Sequence, residues 1–228
     1  MKTRPLAEDG GSEAALARLK KLVAQGEHQT VEFKKKATHP EKIIRELIAF
    51  ANSSGGILLV GVDDDRTISG LKHPEEEMHV IEQALLKCKP ALPLEIELIP
   101  IGHKRAVVKY HVFESSKKPH FITPSDRPRE AYVRHGDKSI KASKEMQEIL
   151  RRSNKKKDIR FMYGPQENLL IKYLTENPTI TLKKFSELAK INPFRASRKL
   201  IILVLADVLI ITPTEKGDVY SLAFGRSA

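Results

Sequence analysis

The sequence predicts a mixed α/β domain followed by a small domain of three helices and a hairpin, and three observations carry this. Ile43, Ile44, Leu47, Ile48 and Ala51 recur at helical spacing, run into Asn52-Ser53-Ser54-Gly55-Gly56, and give way at once to the apolar stretch Ile57–Val62. Upstream, Val31-Glu32-Phe33-Lys34 alternates as a short half-buried strand, with Val31 and Phe33 inward and Glu32 and Lys34 outward. Beyond residue 164, three short helical patterns precede two apolar runs joined by a turn at Glu215-Lys216-Gly217-Asp218.

In order, Ser12 opens a helix that Gly26 ends. Strand 31–34 leads into a helix over 41–52, a strand over 57–62, and a return arm or tight corner at Arg66–Gly70. Pro74–Lys87 is a helix with Pro at its start and three glutamates in its first turn. Leu94–Pro100 and Arg105–Val112 form an antiparallel hairpin through Ile101-Gly102-His103-Lys104. A loop over 114–129, a strand over 130–134 and a helix begun by Ser143 complete the first domain, assigned to residues 12–152. Residues 153–164 form a basic linker, and 165–225 the second domain, whose layout is that of a winged helix-turn-helix.

Charge separates these two parts. The 228 residues carry a net +11; residues 1–150 hold 25 basic and 22 acidic side chains, whereas residues 151–228 hold 15 and 7. A polyanion-binding surface is therefore expected in the last third. A single cysteine, Cys88, excludes an intrachain disulfide and a cysteine-rich zinc cluster. No apolar run of secretory or membrane-spanning length is present, so no membrane partner is expected and cytoplasmic residence is the default.

Two constellations bear on chemistry in the first domain. Glu27, Glu32, Asp63 and Asp64 are apart in sequence, but a strand at 31–34 beside one at 57–62 brings them together. Such hard oxygen donors suit Mg²⁺ or Mn²⁺, which activates water and stabilises charge on a phosphodiester, with Lys34 on the phosphate. Taken from spacing alone, the same residues read more simply as an exposed acid after a helix, a solvent-face strand residue, a turn and a solvated flank. Ser53, Ser54, Gly55 and Gly56 offer hydroxyls and N–H groups for an anion nest. They lack the GxxxxGK[ST] form and follow a helix, which leaves ATP binding weakly supported. The eight histidines show no HExxH or Cys/His ligand spacing, and no GxSxG elbow occurs.

Nucleic-acid contacts are expected from Arg134 and Lys138, beside Tyr132 at a sheet edge, and from Arg195, Ser197, Arg198 and Lys199 on the third helix of the second domain. Lys216 sits on the wing.

Val31–Lys34, the Ala49–Gly56 helix end, Ile57–Asp65, Ile68-Ser69-Gly70 and Ala131–Ser139 together resemble the Schlafen AlbA_2 domain over roughly residues 20–150. The resemblance implies a compact mixed α/β fold described as DNA-binding or divergently ATP-binding, commonly followed by a winged helix in bacterial members. Some relatives are metal-dependent endoribonucleases acting on structured RNA, and the matching acidic positions here are Glu27, Glu32 and Asp63 or Asp64. Those relatives use two such units, which this chain supplies only as a homodimer. His28 stands where a small polar residue is often found. The leading expectation is a DNA-binding regulatory protein needing no cofactor; metal-dependent RNA cleavage and ATP binding are the alternatives.

Overall fold

The computed structural model describes residues 9–102, 104–123, 128–153 and 162–223, the side chains of residues 9–12 excepted. The chain forms two compact units, Met1–Ser139 and Ile140–Ala228. His103 and most of the linker expected at 153–164 lie outside the described residues.

In the first unit the order is α1 (Asp9–Ala24), β1 (Val31–Lys34), α2 (Pro40–Asn52), β2 (Gly56–Val60), α3 (Pro74–Leu85), β3 (Cys88–Lys89), β4 (Leu94–Gly102), β5 (Arg105–Val112), β6 (Phe121–Ile122) and β7 (Tyr132–His135). β8 (Lys138–Lys141) pairs with β7 and contains the division between the units. The main sheet runs β1-β2-β5-β4. β1 and β2 are parallel, joined through α2, with Lys34 beside Val60; β5 is antiparallel to both β2 and β4.

Alternation along the strands feeds two cores. Val31, Phe33, Leu59, Ile99 and Val107 pack under Ala15, Leu19 and Val23 of α1. Leu58, Val60, Val108 and Tyr110 face the opposite way, onto Ile44, Leu47 and Ile48 of α2 and Ile81 of α3. With helices on both faces, the outward half of β1 does not reach open solvent: Glu32 is only 7% exposed. Arg66–Gly70 is a tight corner, closed by Asp63 N–H on Thr67 O and Gly70 N–H on Gly61 O at 2.9 and 2.8 Å. Within the expected loop, β6 pairs with β3 and buries Cys88, whose thiol burial pushes up to about 12.

The end of α2 is the junction of this unit. Gly55 takes φ +76°, and a Cβ there would lie 2.8 Å from Val112 O. A Cβ on Gly56 would sit 2.3 Å from the ring of Phe50, which is fully buried. Buried Asn52 donates to His120 O and Tyr132 O, both at 3.0 Å, and accepts from His120 N–H at 2.7 Å. The His120 ring lies 2.9 Å from Pro90 O through Nδ1 and 2.6 Å from Ser115 Oγ through Nε2. A carbonyl only accepts, so Nδ1 carries the proton and Nε2 accepts from Ser115. Burial, with the Lys118 charge added, holds the His120 pKa below its ordinary value.

The second unit holds α4 (Lys144–Ser153), α5 (Pro165–Glu176), β9 (Ile180–Thr181), α6 (Leu182–Leu188), α7 (Pro193–Leu205), β10 (Leu209–Thr212) and β11 (Val219–Leu222). Ser143 caps α4 by accepting the Met146 N–H at 3.0 Å, Thr181 caps α6 and Asn192 caps α7. Leu170, Leu174, Phe185, Ala196, Leu200, Leu203, Leu209 and Tyr220 form the core, and β9 joins the β10–β11 hairpin as a third strand. Ile149 of α4 packs on Ile201 and Leu205 of α7, so this helix belongs with the second unit although the sequence assigned it to the first. No helix among the described residues is long and apolar enough to cross a membrane.

Gly56→Ala is expected to lower the unfolding free energy by about 1–3 kcal/mol through overpacking on Phe50, read from urea denaturation. His120 stabilises the fold as a neutral ring. That contribution is complete above its unfolded value near 6.5 and is lost as pH falls through the lower folded value. Urea midpoints are expected to drop as pH falls below about 6.5, and to drop less in His120→Gln.

Candidate functional site

β1 is an edge strand, so the N–H groups on its open side need partners from outside the sheet. Glu27 supplies one, its Oε1 accepting the Phe33 N–H at 2.8 Å. Glu32 lies on the α2 side of the strand. Lys34 Nζ bonds its Oε1 and also donates to Phe33 O at 2.9 Å; Arg134 Nη1 lies 3.1 Å from its Oε2. The same Nη1 is 2.6 Å from Glu46 Oε2, which Ser139 Oγ also bonds. Arg134 Nη2 donates to His28 O at 3.0 Å, and its guanidinium carbon stands 4.9 Å from the Phe50 ring centroid.

This arginine is therefore not presented at a groove. Its side chain is completely covered, and its backbone N–H is taken by Ser53 Oγ at 2.9 Å. Two carboxylates facing a guanidinium and an ammonium balance in charge, which is what allows them to be buried. Glu46 feels the crowding: burial and then the Glu32 charge raise its pKa, against the opposing pull of Ser139 and Arg134.

The remaining acids lie beyond β2. Asp63 Oδ2 pairs with Lys35 Nζ at 2.8 Å, and its Oδ1 accepts from Ser69 Oγ at 3.1 Å. Asp64 is exposed and borders a cleft with Lys34. Glu27, Glu32 and Asp63 thus serve separate partners, and among the described residues no group of three or more His, Cys, Asp or Glu is gathered to hold a metal.

Nor does the glycine segment form a nest in this structure. Ser53 N–H bonds Ala49 O and Phe50 O, Gly55 N–H bonds Phe50 O, and Ser53 O receives Lys118 Nζ at 2.8 Å. Ser54 is exposed, while Gly55 and Gly56 are spent on close packing at the helix–strand junction.

In the second unit, α7 is partly covered. Ser197 Oγ donates to Glu145 Oε1 at 2.6 Å, and Lys199 pairs with Glu167 of α5. Burial opposes charge on Glu167, but bonds from Lys199 and nearby backbone N–H groups hold its carboxyl below the ordinary range. Arg195 and Arg198 remain exposed with no ion pair among the described residues, alongside Phe194 at 69% exposure. Arg198 rests over the Phe194 ring at 5.8 Å. Lys216 is exposed in the turn between β10 and β11, and Lys138 is exposed at the start of β8.

Sequence reading missed Glu46 and Ser139. Glu46 lies three residues after Ile43 and four before Phe50, on the stripe of α2 that faces inward, and that spacing was the available signal. Arg134→Met is expected to destabilise the first unit by about 3–5 kcal/mol, because it strands Glu32 and Glu46 without a counter-charge. Adding Glu46→Gln should restore part of that loss, as a double-mutant cycle in urea would measure.

Comparison with known proteins adds a family. No curated protein matches the chain. Among solved structures, the DIP2311 protein from Corynebacterium diphtheriae is similar at 21% identity and a TM-score of 0.41, over 64% of this chain. The present chain spans 29% of that protein's length. The Schlafen AlbA_2 family model matches residues 27–143, just over half of the sequence and the part that holds the Glu32–Arg134–Glu46 centre, so the protein belongs to the Schlafen AlbA_2 family.

Proposed function

We propose that this is a cytoplasmic, DNA-binding regulatory protein whose second unit is a winged helix-turn-helix. In this reading α6 and α7 are the paired helices, α7 enters the major groove, and the β10–β11 hairpin with Lys216 is the wing. The observation that carries the reading is the uncompensated stripe of Phe194, Arg195 and Arg198 at the amino end of α7. Lys199 on the same helix is paired with Glu167, but the two arginines have no acid among the described residues. A convex helix with free guanidinium groups along one side matches the width of the B-DNA major groove and the acceptors of its bases and phosphates.

Metal-dependent RNA cleavage needs Glu27, Glu32 and Asp63 or Asp64 around one cation. The carboxylates of Glu27, Glu32 and Asp63 are engaged by Phe33, Lys34, Arg134, Lys35 and Ser69, so a cation at these acids would have to displace those partners.

Arg195→Ala with Arg198→Ala should weaken duplex DNA binding about tenfold or more and reduce the salt slope by about 2, read by fluorescence anisotropy between 50 and 200 mM salt. Lys199→Ala should do less, since its charge is already shared. Affinity and slope both unchanged in the double variant would overturn the assignment of α7.

A further inference from the structure

A second cationic feature lies in the first unit, where Lys34 and Asp64 are joined by residues the sequence did not single out. An open cleft of about 440 Å³ sits where β1 ends and α2 begins, and Lys34, Lys35, Lys36, His39 and Lys42 line it with Asp64. Four ammonium groups thus face one carboxylate. Lys34 is shared with Glu32, and Lys35 with Asp63. Lys36 and Lys42 are exposed and have no ion pair among the described residues. Asp63 adds hydrogen-bonding and charge that hold the Lys35 ammonium above its ordinary pKa, so this position stays cationic.

The backbone explains the gathering. β1 stops at Lys34, the chain turns through Lys35, Lys36 and His39, and α2 starts at Pro40, bringing Lys42 back over the strand end. Parallel pairing of Lys34 with Val60 sets the end of β2 beside it, so the cleft lies at the carboxyl end of the parallel pair, where open α/β sheets receive ligands. Buried Ile43 and Ala37 anchor the segment on either side of His39. Glu32 and Asp63 offset Lys34 and Lys35, which leaves the charges of Lys36 and Lys42 to be met by an anion from outside. Lysines act as point-charge donors with rotatable N–H groups, which suits a compact, multiply charged oxyanion.

We propose that this cleft is a phosphate-binding site, with Lys36 and Lys42 as its free ligating cations and Lys34 and Lys35 as the held flank. The phosphate comes either from a nucleic-acid backbone or from a free polyphosphate. The site stands on the geometry of the first unit and does not rest on the role given to α7.

The test is amide NMR on the full chain, following residues 35–43 during titration with inorganic pyrophosphate and, separately, with duplex DNA. Saturable shifts in those amides are expected with pyrophosphate. They should weaken at least tenfold in Lys36→Ala/Lys42→Ala, two exposed positions whose change leaves the remaining spectrum in place, and persist in Arg195→Ala/Arg198→Ala. Shifts of the same amides by DNA assign the phosphate to a polymer backbone; shifts by pyrophosphate alone assign it to a free anion. No saturable shift with either probe, or equal shifts in the lysine variant, would overturn the site. Loss of DNA binding in the α7 variant with the pyrophosphate response retained separates the two readings.

Discussion

A guanidinium shut away from water needs acceptors around it, and in the first unit the two terminal nitrogens of Arg134 find them in three separate parts of the chain, while its Nε stays unpartnered among the described residues. Its bonds run to Glu32 on β1, to Glu46 on α2 and to the carbonyl of His28 ahead of β1, while Ser139 closes the far side. The aromatic face of Phe50 covers the remaining approach. Because each partner comes from a different element, the group fixes β1, α2 and β7 in one arrangement. Apolar packing could tolerate small slips here; a buried charge with directional bonds cannot. The polar alternation of β1 is explained by the same centre, since the strand carries its acid toward the arginine and its aliphatic residues toward α1.

Much of the scaffold could be read from local pattern. The strand at Val31–Lys34, the helix ending at Asn52 and the hairpin of β4 with β5 all follow from periodicity and turn residues, and they form where expected. The carboxylate–arginine centre could not be read this way. Glu32 and Arg134 are 102 positions apart, and each taken alone looks like a surface residue. Glu46 falls by spacing on the inward stripe of α2, but what it meets there is not given until the position of β7 is known. Likewise, the apolar stripe of Met146, Ile149 and Leu150 announces an amphipathic helix but not which core receives it; the packing of Ile149 on Ile201 answers that. Burial of Glu32 was misjudged for a related reason, since strand alternation reports two faces and not what covers each.

The distribution of partners matters more for function than the distribution of charge. A net +11 is spread over many lysines and arginines, yet several are consumed internally: Arg134 by two glutamates, Lys199 by Glu167, Lys109 by Glu97. Among the exposed cations with no ion pair in the described residues, two groups stand out by position, Arg195 and Arg198 at the amino end of α7 and Lys36 and Lys42 around the turn before α2. Each lies beside a well-packed helix, so the cations are held near one another while their head groups stay in water. That combination of a rigid base and solvated charge favours electrostatic recognition of phosphate over formation of internal ion pairs.

The lone thiol of Cys88 has a practical corollary. Sequestered beneath the β3–β6 ladder and poorly ionised, it offers no thiolate to an alkylating reagent while the ladder is closed. Cysteines introduced at exposed positions can therefore carry dyes or spin labels without first removing the natural one. Conversely, slow capture of Cys88 by such a reagent clocks the transient opening of that small sheet.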